Sequence, residues 1–77
     1  VVVPSNIELS RQAFQLLLDL YPYHAKAPDA TYKLATVYFA KGNKDRSKAL
    51  LNQVISQYSE AQHAAVGLAR QFLSQNF

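Results

Sequence analysis

Leu34-Ala35-Thr36-Val37-Tyr38-Phe39-Ala40-Lys41-Gly42-Asn43-Lys44-Asp45-Arg46-Ser47-Lys48-Ala49-Leu50-Leu51 holds the end of one helix, a joint and the start of the next. Leu34 and Tyr38 recur at helical spacing, and so do Leu51, Val54, Ile55 and Tyr58, so each segment carries an apolar stripe. Gly42-Asn43 suits the left-handed conformation that commonly ends a helix, and Lys41 complements the negative end of the dipole. A joint this short returns the second helix antiparallel to the first.

Working outward, Pro28 suits a first helical position and Asp29 favours the positive helix end, which places a helix over residues 28–41. The next spans 45–58, and the capping-box spacing Ser59-Glu60-Ala61-Gln62 predicts another over 60–74. Upstream, Ser5-Asn6-Ile7-Glu8 has the same spacing and predicts a helix over 6–21, ended by Pro22. The expectation is an all-α domain of four antiparallel helices. The first helix is apolar on two sides: Ile7, Phe14, Leu17, Leu18 and Tyr21 form one stripe, and Leu9, Ala13, Leu16 and Leu20 another. Such a helix needs neighbours on two sides.

Composition narrows the function. The chain has 77 residues, 49% of them apolar and 17% charged, with two Gly and three Pro, which is a folding composition and not a disordered one. Chains this short bury only about 60% of the surface they expose when unfolded, leaving little room for a catalytic pocket or a second domain. Zero cysteine removes disulfides, thiol nucleophiles and cysteine zinc sites. A net charge of +3 is a mild basic bias, well short of a nucleic-acid footprint. No apolar run approaches the roughly 20 residues of a membrane span, and Val1-Val2-Val3-Pro4 is too short for a signal-peptide core.

A shift of 37 residues lays Ser10 on Ser47, Phe14 on Leu51, Leu17 on Val54, Leu18 on Ile55 and Tyr21 on Tyr58. A period of this size in helix pairs marks a solenoid, in which each pair buries its apolar face on the next. Leu34-Ala35-x-x-Tyr38-x-x-x-Gly42, followed by Leu51, Val54 and Tyr58-Ser59, resembles a tetratricopeptide repeat. The resemblance implies small residues at Ala35 and Ser47, where two helices cross closely. Ser47, Thr31 and Ser59 depart from the usual alanine, large aromatic and proline. A narrower resemblance rests on Tyr21-Pro22, Pro28-x-Ala30-x-Tyr32-x-Leu34-Ala35, Lys41-Gly42-x-Lys44-Asp45, Ala49 and Val54-Ile55-x-x-Tyr58. Over residues 13 to 73 the chain is similar to the carboxy-terminal repeats of the periplasmic Tol-Pal system, or cell division coordinator, family. Envelope assembly lipoproteins share this style of repeat.

No catalytic, metal or cofactor site is expected. His24 and His63 lack further ligands at helical spacing, Ser5 and Ser59 read as caps, Ser10 and Ser47 as packing residues, and Gly42 and Gly67 stand alone. Phe14, Tyr21, Tyr38, Tyr58 and Phe72 read as core. Tyr32, Thr36 and Phe39 share a separate face of the second helix, and Val66, Ala69, Arg70 and Leu73 the corresponding face of the fourth. In tetratricopeptide arrays that face lines a concave groove, which implies these seven residues as a surface for an extended peptide or partner helix. Tyr32 and Thr36 stand where carboxylate-gripping repeats carry Lys and Asn, so carboxylate capture is not expected. Lys33, Lys41, Lys44, Arg46 and Lys48 form a solvated basic run able to steer an acidic partner.

The implied function is a non-enzymatic protein-interaction adaptor. By resemblance it is periplasmic, taking Tol-type or peptidoglycan-synthesis proteins as partners in cell division. A cytosolic repeat adaptor and a small basic nucleic-acid-binding domain are the alternatives. The first helix corresponds to the second half of a repeat, so its apolar face expects a partner helix upstream, or self-association through that face.

Overall fold

The computed structural model describes residues 6–77. Val1-Val2-Val3-Pro4 and the Ser5 half of the first capping box lie outside the described residues. Four helices follow in order: α1 (Asn6–Leu20), α2 (Ala27–Ala40), α3 (Lys44–Gln57) and α4 (Ala64–Asn76). The described residues contain no strand, as an all-α solenoid fragment requires.

The chain chemistry accounts for each joint. α1 stops at Leu20, one residue before the pre-proline Tyr21, whose N–H still reaches the Leu17 carbonyl at 2.8 Å. α2 begins with proline in its first turn and carries Asp29 there. Its C-terminus is a Schellman closure: Gly42 N–H donates to the Phe39 carbonyl at 3.0 Å and Asn43 N–H to the Tyr38 carbonyl at 2.9 Å. Gly42 adopts φ +88, the left-handed region that a side chain disfavours. Asn43 does not share that conformation; it caps α3, its side chain accepting from the Arg46 N–H at 3.2 Å.

The start of the fourth helix differs from expectation. Residues 60–62 form an isolated turn, in which Gln62 and His63 N–H groups both converge on the Ser59 carbonyl at 3.1 and 2.9 Å. His63 is extended at φ −136, ψ 116, so α4 opens at Ala64 and runs on to Asn76. Ser59 therefore acts through its backbone carbonyl instead of a helix-capping hydroxyl.

The core lies where α2, α3 and α4 meet: Leu34, Ala35, Leu50, Leu51, Val54, Ala65, Val66 and Ala69 are buried together. Phe14 and Leu18 of α1 pack against it from one side, and Tyr38, Tyr58 and Phe72 pack partly buried against it, as their spacing predicts. Tyr21 departs from that set, since it is 57% exposed beyond the end of α1. α2 touches all three other helices, α3 touches α2 and α4, and α1 touches α2. The helices thus form two offset layers, α1 and α3 above, α2 and α4 below.

Ala35 and Ser47 are both fully buried. Small residues let helix backbones approach closely, which explains their type. The Ser47 hydroxyl finds no hydrogen-bond partner. An unpaired buried hydroxyl costs about 1–3 kcal/mol. Ser47→Ala is expected to raise unfolding stability by about 1 kcal/mol, while Ala35→Leu lowers it by about 1–3 kcal/mol through overpacking, both read by urea denaturation.

Candidate functional site

The seven residues expected to line a groove fall into two groups. Tyr32 and Phe39 lie half-buried on α2 and meet α4 through Phe72, whose ring stands edge-on to Tyr32 at 6.3 Å and to Phe39 at 5.2 Å. Phe77 completes the cluster, 5.5 Å from Phe39. Edge-to-face rings at these separations attract through their quadrupoles, so the aromatic face is organised before any partner arrives. Thr36 sits between Tyr32 and Phe39 along α2 and donates its hydroxyl to the Lys33 carbonyl at 2.7 Å.

α4 contributes less of this surface than its spacing predicts. Val66 and Ala69 are fully buried in the core and present nothing to a partner. They lie on the stripe with Ala65, which helix packing turns inward. Leu73 is half-buried against the core, and Arg70 is exposed, with Nε 3.6 Å from the Glu60 carboxylate. Of the seven residues, Tyr32, Thr36, Phe39, Arg70 and Leu73 thus keep solvent access, and Phe72 and Phe77 join them. Spacing predicts Phe72 in the core; it is half-buried, packed against the core on one side and against the Tyr32 and Phe39 rings on the other. Spacing along α4 carries no sign of this, because it is the Tyr32 and Phe39 rings of α2 that meet Phe72.

A second concavity lies on the other side of α2, between α1 and α3. It encloses about 560 Å³. Leu18, Ala27, Thr31, Leu34 and Leu50 floor it, while Gln15, Asp19, Arg46, Gln53 and Gln57 rim it. Gln15 donates to Asp19 at 3.0 Å across one helical turn. Thr31, which stands where a large aromatic is usual, donates its buried hydroxyl to the Ala27 carbonyl at 2.8 Å and leaves the cleft open.

The basic run does not form one free face. Lys33 pairs with Asp29 at 3.1 Å within α2. Lys41 pairs with Glu8 of α1 and also stands over the Tyr38 ring, as Arg46 does from α3 at 5.9 Å. Lys44 lies 5.7 Å from the Phe39 ring centroid. Charges committed to these contacts are a poor match for a phosphate backbone, which is bound by cations gathered on one surface. Of the histidines, His24 accepts the Lys26 N–H through Nδ1 at 3.0 Å, and His63 stands edge-on to Tyr58 at 5.2 Å. Among the described residues no three His, Asp or Glu side chains gather as metal ligands, and no helix is long and apolar enough to cross a membrane.

Residues 29–61, which cover nearly all of α2, the whole of α3 and the turn after it, match the family described as tetratricopeptide repeat. No curated protein and no solved structure matches the chain. The helix pair α2–α3 is thus similar to a tetratricopeptide repeat, and repeats of this kind generally mediate protein–protein interaction.

Glu8 locks α1 against this unit. Its carboxylate accepts from Arg11 at 2.8 Å and from Lys41 at the end of α2. The Arg11 hydrogen bond, then that of Lys41, holds its pKa near 2, below the ordinary 4.5. A depressed carboxylate pKa stabilises the fold fully above the unfolded value and loses that contribution as pH falls through the folded one. Glu8→Gln is therefore expected to flatten the stability loss between pH 4.5 and about 2 in thermal melts, with a smaller difference at high salt.

Proposed function

We propose that this chain is a non-enzymatic interaction module of the bacterial cell envelope that takes a peptide or helix of a protein partner against the α2–α4 face. The preorganised Tyr32–Phe72–Phe39 surface carries this reading. It combines half-buried aromatic rings, the Thr36 side chain and two cations, Arg70 and the Lys44 beside Phe39, a mixture suited to an amphipathic segment with an acidic residue. Partly desolvated aromatic groups beside an Arg are the residue types that dominate binding energy.

The envelope setting rests on the residues that resemble the Tol-Pal family, Tyr21-Pro22 and Lys41-Gly42-x-Lys44-Asp45 above all, together with the 37-residue period. The reading is of a periplasmic protein whose partners are Tol-type or peptidoglycan-synthesis proteins acting in cell division. No cofactor takes part.

Because Tyr32 and Phe39 support Phe72, removing them tests folding as much as binding. Thr36→Arg and Arg70→Glu change the outer face and leave the ring cluster in place. Against a purified Tol-type protein in a titration, each is expected to weaken binding at least tenfold while leaving the helical circular dichroism unchanged. Binding that survives both substitutions overturns the groove assignment; no binding by the native chain overturns the partner.

A further inference from the structure

The repeat shift relates α1 to α3 and α2 to α4, and it exposes a mismatch between equivalent faces. On α3, Arg46, Leu50, Gln53 and Gln57 face the open cleft toward α1, and three of these four are polar. Their equivalents on α1, 37 residues earlier, are Leu9, Ala13, Leu16 and Leu20. Leu9, Leu16 and Leu20 are 48, 57 and 61% exposed. A position that is polar where it borders solvent and leucine where it is repeated points to a covered surface.

The surface that matches it is at the other end of the molecule. On α2, Ala27, Thr31 and Leu34 form the floor on which α1 and α3 sit. The same shift converts these to Ala64, Leu68 and Gln71 of α4, all exposed, with Leu68 at 41%. Beside them, Ile55 of α3, the equivalent of Leu18, is half-buried. α4 thus offers an unfilled seat of the kind that α2 offers to α3. The helix made for such a seat is one with the spacing and stripe of α3, and α1 is its repeat.

We propose that the occupant of the α1 leucine stripe is a second copy of this chain, whose α3–α4 end receives it. The contact is head-to-tail: Leu9, Leu16 and Leu20 of one molecule lie on Ile55, Ala64 and Leu68 of the next. It continues the solenoid by the operation that already relates α1–α2 to α3–α4. A heterologous contact of this kind uses different surfaces on the two molecules and leaves one of each free, so assembly grows beyond a dimer.

Sedimentation of the 77-residue chain over a wide concentration range reads this directly. The native chain is expected to pass from 8.6 kDa to species larger than a dimer as concentration rises. Leu16→Glu blocks the donating face and Leu68→Glu the receiving one, so each variant alone sediments as a monomer. Both positions are exposed, and circular dichroism confirms that the variants fold; Leu20→Glu serves as a second donating-face variant. An equimolar mixture of Leu16→Glu and Leu68→Glu restores one good contact and stops at the heterodimer. A native chain that stays monomeric, an association untouched by Leu68→Glu, or a mixture that stays monomeric overturns the proposal.

Discussion

The close approach of α2 and α3 is the constraint on which the rest of this structure depends. Ala35 and Ser47 are fully buried, and Gly42 turns the chain between the two helices at φ +88. A short joint and a close crossing leave the second helix only one way to lie. Leu34, Leu51 and Val54 then share one apolar volume, and α4 closes it with Ala65, Val66 and Ala69. Ser47 carries a cost in this position, because its hydroxyl is unpaired, yet its small size meets the spatial demand. Size outranks polarity at a crossing, since a larger apolar group would push the backbones apart.

That packing divides the surface into faces with different characters. Below, α2 and α4 bring Tyr32, Phe39, Phe72 and Phe77 into a ring cluster. Above, α1 and α3 are held apart over Thr31 and Leu34, and the gap is rimmed by glutamines. The first face is mostly aromatic, and the second is rimmed by side-chain amides that water satisfies equally well. Glu8 adds an electrostatic tie across the α1–α2 joint through Arg11 and Lys41. Surfaces ordered in advance in this way lose less freedom on binding.

Solenoids have no natural end, and the apolar stripe of α1 shows the consequence. Each helix pair buries what its neighbour offers, so an apolar outer face on any helix of the stack calls for a neighbour. α3 presents Arg46, Gln53 and Gln57 on the side where α1 presents Leu9, Leu16 and Leu20. The exposed apolar stripe on α4 is smaller, with Ala64 and Leu68.

Local chemistry made most of the architecture legible. Pro22, Pro28 and Gly42 mark the ends of α1 and α2 to within a residue or so because they act on the dihedral angles of their immediate neighbours. The 37-residue repeat and the small residues at Ala35 and Ser47 carry the helix-pair fold for the same reason: they constrain what each segment can pack against. Two things were decided only by tertiary structure. α4 starts at Ala64 because backbone N–H groups converge on the Ser59 carbonyl, a choice the capping-box spacing alone did not distinguish from a helix starting at residue 60. Likewise, Val66 and Ala69 went into the core while Phe72 joined the groove, because spacing defines stripes on a helix, and only the neighbouring helices determine which stripe turns inward.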